Sequence, residues 1–208
     1  MKKWFLALLT TLMALMLSVA SAENVPLASE TEINPVLEAQ TLVGLKIPVE
    51  AFKETTKGGE VISAEITTSE TDAEVQYVNV FGYIYPVDES APNIEWRMLL
   101  PMKRNGRSVQ LGGGANNGSI PKLTGTGSVG GEIAIDKGYV VYGDDSGHQA
   151  ESSMDASFAS NDEALSNYTR LHLIKAYDAM CYVTNAFYGQ EPVFKFFAGG
   201  STGGREAL

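Results

Sequence analysis

Residues 193–208 read VFKFFAGGSTGGREAL, and these sixteen positions decide how the rest of the chain is understood. A short β-branched and aromatic run, residues 193–197, reads as a strand. It is followed by Gly199-Gly200-Ser201-Thr202-Gly203-Gly204, and then by Arg205-Glu206-Ala207-Leu208, which reads as the first turn of a helix. Gly199 to Gly203 satisfies G-x-S-x-G in the one setting where that pattern has a mechanical meaning, between a strand and the helix it opens. A serine thrown out of a sheet on so sharp a bend presses the residues two positions either side of it together. Glycine at 199 and 203 removes the side chains that would collide. Ser201 Oγ is then expected near the positive end of the following helix. The Thr202 N–H should point at the oxygen that becomes negative when a carbonyl carbon is attacked.

Working back along the chain, Leu165, Tyr168, Leu171, Ile174, Tyr177, Cys181, Thr184 and Phe187 recur at three- or four-residue steps, which predicts one long amphipathic helix over residues 160–188. Ser160 and Glu163 form a capping box at its start, and Gly189 with Pro192 marks its end. Before it, residues 138–142 (GYVVY) are continuously apolar, as in a parallel strand buried on both faces. Residues 108–111 form a shorter piece that runs straight into Gly112-Gly113-Gly114. Residues 75–85 (VQYVNVFGYIY) and 94–100 (IEWRMLL), each ending at a proline, read as a hairpin. Strands alternating with helices after an antiparallel opening predict an α/β fold with a mixed sheet and flanking helices. Residues 23–60, broken at Asn34-Pro35, Ile47-Pro48 and Lys57-Gly58-Gly59, read as a partly extended leader to a domain spanning residues 61–208.

Composition narrows the function classes. With 15 basic against 25 acidic residues and no cluster of Lys and Arg, neither a nucleic-acid backbone nor an anionic membrane surface is expected as the partner. A single cysteine, Cys181, rules out an internal disulfide framework and a Cys-based zinc site. Residues 1–22 have the form of a secretory signal peptide: Lys2 and Lys3, an apolar run, then Ala20-Ser21-Ala22. The run is shorter than the ~20 residues of a spanning helix, so a secreted or periplasmic protein is expected.

A second oxyanion donor is expected from the loop after an earlier strand. Gly112-Gly113-Gly114-Ala115 occupies such a place, with the Gly114 N–H as first choice and Ala115 as second. Gly125 to Gly130 matches G-x-G-x-x-G, but no convincing strand precedes it, so dinucleotide binding is not expected. Asp144-Asp145-Ser146-Gly147-His148 could suggest a metal. At the C-terminal end of a buried strand it reads better as a wall of the ligand crevice. His172 reads as a helix-face histidine, and Asn117-Gly118-Ser119 and Asn167-Tyr168-Thr169 as glycosylation sequons. Neither cofactor nor metal is expected, and the partner called for is a small-molecule ester.

Four blocks of this sequence resemble the tannase and feruloyl esterase group of secreted α/β-hydrolases: residues 96–101 with Asn105-Gly106-Arg107, residues 112–120 (GGGANNGSI), residues 138–148, and residues 186–208. The resemblance implies hydrolysis of phenolic acid esters of feruloyl or galloyl type, with Ser201 as nucleophile and Thr202 and Gly114 or Ala115 as oxyanion donors. It also implies that the triad acid and histidine, and a lid, lie beyond Leu208, so that the chain ends just after the nucleophile elbow and is nearly inactive by itself. Many members carry a cysteine just before the nucleophile, where this chain has Gly200. His148 is a poor substitute base, since the histidine of such enzymes comes last in the sequence. A non-catalytic binding protein on the same scaffold, or a lipase or peptidase, shares these features.

Overall fold

The computed structural model describes residues 35–125 and 133–208. The expected signal peptide, and residues 126–130 of the G-x-G-x-x-G tract, lie outside the described residues. Seven strands form one mixed sheet: β1 (Lys46–Ile47), β2 (Gly59–Thr68), β3 (Gln76–Ile84), β4 (Ile94–Pro101), β5 (Arg107–Leu111), β6 (Val140–Asp144) and β7 (Phe194–Ala198), in the spatial order β1-β2-β3-β4-β6-β5-β7. From β1 through β4 to β6 all pairings are antiparallel, whereas β6, β5 and β7 run parallel. The expected hairpin is β3–β4, and its register sets Gly82 opposite Trp96. The indole lies over that glycine so closely that a Cβ there would fall 2.2 Å from the ring. β6 is buried along its whole length, as its unbroken apolar run predicts, because it sits in mid-sheet with cover on both faces.

The parallel arrangement has a directional consequence. The C-terminal ends of β5, β6 and β7 reach the same edge of the sheet, and the three loops that leave them meet there. This is where open α/β sheets place their ligands.

The main core lies under the helical segment that follows. Ala176, Ala179, Met180, Val183 and Phe187 pack against Val78, Val80, Met98, Leu100 and Tyr142. A smaller cluster, including Tyr77, Leu99, Val109, Ile135 and Val141, covers the opposite face. The expected leader is a mixture. From residue 35 on it contains α1 (Pro35–Leu42), β1 and a 3-10 turn at Val49–Ala51, and Ala39, Leu42, Ile47 and Phe52 all enter the main core. Each short apolar piece between its breakers supplies one or two anchors. Among the described residues no helix is long and apolar enough to cross a membrane.

The long helix differs from its prediction at its start. It is built of α2 (Asp162–Ser166), a π-helical turn at Asn167–Leu171, and α3 (His172–Tyr188). Residues 157–160 form a 3-10 turn of their own, in which the Ser160 hydroxyl donates to the Ser157 carbonyl. Asn161 therefore caps the helix, accepting from the Ala164 N–H at 2.9 Å. Glu163 closes no capping box: it accepts from the Val87 and Asp88 amides of the β3–β4 connection and faces Lys175 of α3 at 3.5 Å. The end is as expected: Gly189 adopts φ 73° and closes the last turn onto Asn185.

Candidate active site

Ser201 stands exposed at the tip of the turn between β7 and α4 (Thr202–Glu206), with φ 54° and ψ −120°. A non-glycine residue reaches this region of backbone space only where its surroundings over-determine it. Those surroundings are the two glycines. A Cβ on Gly199 would lie 2.7–2.8 Å from the backbone of Gly203, and one on Gly203 would lie 3.0 Å from Gly112 and from the Gly113 carbonyl. Gly200 has nothing within 4 Å of its Cβ position. Gly199→Ala is accordingly expected to cost about 1–3 kcal/mol through forced displacement of the turn, whereas Gly200→Ala should be near neutral. Paired thermal melts of the two variants check this, and equal melting temperatures would count against the strained-turn reading.

The glycine-rich loop after β5 is joined directly to this turn. The Gly203 N–H donates to the Gly113 carbonyl at 3.0 Å, the Thr202 hydroxyl donates to the Ala115 carbonyl at 2.5 Å, and Gly112 N–H bonds the Ala198 carbonyl. The expected pairing of turn and triglycine is therefore present in the geometry. Among the described residues, the amides of Thr202, Gly114 and Ala115 have no protein acceptor. Gly112 and Gly113 are packed tightly against Gly203 and Asn117, while the Cβ position of Gly114 is open.

Strain is concentrated here. The four non-glycine residues with positive φ among the described residues are Ala115, Asn117, Ser146 and Ser201, and they come from the three loops leaving β5, β6 and β7.

A buried ion network ties those loops to the helices, and its members were given other roles in the sequence reading or none. His172, at the first turn of α3, places Nδ1 2.6 Å from Asp144 Oδ1 and Nε2 3.6 Å from Glu206 Oε1. Asp144 also accepts from the Ser146 N–H. Glu206, whose side chain is wholly buried, accepts from Asn117 Nδ2 at 2.8 Å and from the Gly113 N–H at 3.3 Å. The Asn117 amide also donates to the Ser146 hydroxyl. Burial alone would disfavour a charged imidazole, yet Asp144 and Glu206 together push the His172 pKa up to about 9. The ring is thus a cation between two carboxylates at neutral pH. Since the folded value exceeds the ordinary histidine value of 6.5, the stabilisation is complete below about pH 6.5 and is lost as pH rises through about 9. Its size is on the order of 3 kcal/mol. Denaturant midpoints measured from pH 6 to 10 should fall across that window in the native protein and flatten in His172→Gln.

The Asp144–His148 tract is buried, and its Asp145 lines a cavity shared with Arg97, Gly118 and Ile120. Asp145 accepts from the Glu95 and Gly147 amides and from Gln149, and burial raises its pKa well above the usual carboxylate range. His148 stacks on Phe158 at 3.9 Å with Tyr168 at its edge, and burial lowers its pKa. Neither of its ring nitrogens has a hydrogen-bond partner in the structure, and no bond joins it to Ser201 among the described residues. Arg205 lies over the Tyr168 ring and 3.7 Å from Glu206. The asparagines of both sequons, Asn117 and Asn167, are buried and engaged, so neither presents an acceptor for a glycan.

Comparison with known proteins follows the same lines. Residues 78–208 match the family described as tannase and feruloyl esterase. An uncharacterized esterase of Agrobacterium fabrum is 41% identical over 167 residues, covering 78% of this chain and 30% of that protein. Among solved structures, feruloyl esterase B from Aspergillus oryzae superposes with a TM-score of 0.57 at 20% identity, over 74% of this chain and 31% of that one. Tannin acyl hydrolase from Aspergillus niger gives 0.51 at 17% identity, over 82% and 32%. The chain therefore spans about a third of the length of the relatives it matches. The structural likeness establishes the mixed-sheet α/β-hydrolase type of fold.

Proposed function

Because the chain belongs to the tannase and feruloyl esterase family, we propose that it carries the nucleophile and oxyanion site of a carboxylic ester hydrolase acting on phenolic acid esters. The observation that carries this reading is the exposed Ser201 on its strained turn, hydrogen-bonded through its neighbours to the triglycine loop. Ser201 Oγ attacks the ester carbonyl carbon and gives up its proton to a base. The carbonyl oxygen becomes an anion held by the Thr202 N–H and by the Gly114 N–H, or in second place that of Ala115. Collapse of this intermediate breaks the ester C–O bond, the alcohol leaves with the proton, and water then releases the acid from the serine. Both histidines among the described residues are committed elsewhere, His172 to its carboxylates and His148 to its aromatic stack, so the base in this scheme comes from the remainder of the full-length protein. The chemistry calls for no cofactor.

Export through residues 1–22 completes the reading, giving a mature chain that begins at Glu23. Incubating the full-length protein with a fluorophosphonate and mapping the adduct by mass spectrometry tests the site. Modification at Ser201, together with release of ferulic acid from methyl ferulate, supports the proposal. An unmodified Ser201 in a protein that still turns over the ester refutes it.

A further inference from the structure

Glu206 lies five residues after the nucleophile, on the helix that the nucleophile opens, and its carboxylate joins that helix to the triglycine loop and to α3. Its Oε2 takes the Gly113 N–H of the triglycine loop, and its Oε1 takes the Asn117 amide three residues beyond the Gly114 donor. His172 faces it from α3, with Asp144 of β6 behind that ring, and Arg205 faces it from its own helix. Among the described residues, one other side chain of α4 binds the loop, the Thr202 hydroxyl at the Ala115 carbonyl, and it does so from the first position of the helix. Gly112, Gly113 and Gly114 offer backbone only, and the contacts from Thr202 and Gly203 lie on the turn itself.

We propose that Glu206 is the positioning residue of the oxyanion site, holding the Gly113–Ala115 loop and helix α4 at the separation that lets the Thr202 and Gly114 amides face a common point. The inference rests on the ester-hydrolase reading for the use of those amides, while the restraint itself is independent of it. Two oxygens are needed because two donors arrive from different directions. Glutamine keeps one acceptor and loses the charge that faces His172, whereas alanine loses both. Burial would raise the carboxyl pKa, but the His172 and Asn117 contacts lower it, which keeps the group an anion at neutral pH.

The test measures geometry without turnover. In the native protein and in Glu206→Ala, Glu206→Gln and Ser201→Ala, amide hydrogen exchange is followed at Gly113 and Thr202 while the ring nitrogens of His172 are titrated by NMR. Glu206→Ala is expected to speed exchange at Gly113 at least 10-fold with the β4 and β6 amides unchanged. Glu206→Gln is expected to recover most of that protection, yet to lower the His172 midpoint by a unit or more. Unchanged Gly113 exchange in Glu206→Ala overturns the proposal, as does a His172 midpoint that is the same in native protein and Glu206→Gln. Should the alanine variant fail to fold, the glutamine titration decides alone. Ser201→Ala should leave both readouts at native values, so a failed serine assignment and a failed Glu206 assignment give different results.

Discussion

Ser201→Ala is expected to lower kcat for a phenolic ester by about 10⁴-fold or more in the full-length protein, with KM changed little. In the proposed mechanism the hydroxyl attacks the ester carbonyl, and the described site offers no second nucleophile in its place. Cys181 is the chain's one thiol, half-buried on α3 with its pKa pushed up to about 11, chiefly by burial and by Glu191. The same substitution should hardly disturb the fold, because alanine keeps the Cβ, and the turn is shaped by Gly199 and Gly203 and not by the hydroxyl. Ser201 Oγ makes no hydrogen bond among the described residues, so no partner is left stranded. The matched measurement is a thermal melt within a degree or two of the native protein beside a collapsed rate. A rate within tenfold of native would remove Ser201 from the mechanism. A collapsed rate with a collapsed melt would show that the serine holds the turn instead.

Asp144→Ala is expected to produce the largest loss of stability, roughly 3–5 kcal/mol at neutral pH. Its carboxylate is almost wholly buried beside an equally buried imidazolium at 2.6 Å, and removing one member of such a pair leaves the other charge desolvated. The Ser146 N–H loses its acceptor in the same step, at a residue already held at φ 69°. For a chain of this size the loss corresponds to a fall in melting temperature on the order of 6–20 °C. The effect should shrink as pH rises through about 9, because the native protein then loses the proton that made the pair. A penalty that is the same at pH 7 and pH 10 would mean that the His172 charge does not contribute.

The parts of this architecture that could be read from sequence are those where one residue type dominates a short run. β6 announces itself by an unbroken apolar stretch, β7 by three phenylalanines in five residues, and β3–β4 by β-branched and aromatic residues closed off with proline. β2 is weaker as a signal: Ser63, Ala64 and Glu65 interrupt its β-branched residues, and only Gly59 and Val61 of its ten residues are buried. The serine turn was legible because steric crowding demands glycine at two fixed distances. The ion network was not. His172 interrupts an apolar helix face and Asp144 ends an apolar strand, yet nothing in either local pattern says that 28 positions of chain fold so as to join them. Glu206 is quieter still, since a glutamate in a first helical turn is ordinary until its burial is known. The one available hint was Asp144 itself, an acid directly continuing a strand that is otherwise closed to water.

The gathering of left-handed backbone at Ala115, Asn117, Ser146 and Ser201 also bears on how this protein would respond to improvement by an engineer. At Ala115 and Ser201, whose side chains hold no hydrogen bond in the network, the torsion is a standing debit that glycine would cancel, and a screen for heat tolerance would be drawn to those two first. Glycine there would also widen the backbone freedom of the rim that the proposed chemistry needs rigid, giving a hardier but blunter molecule.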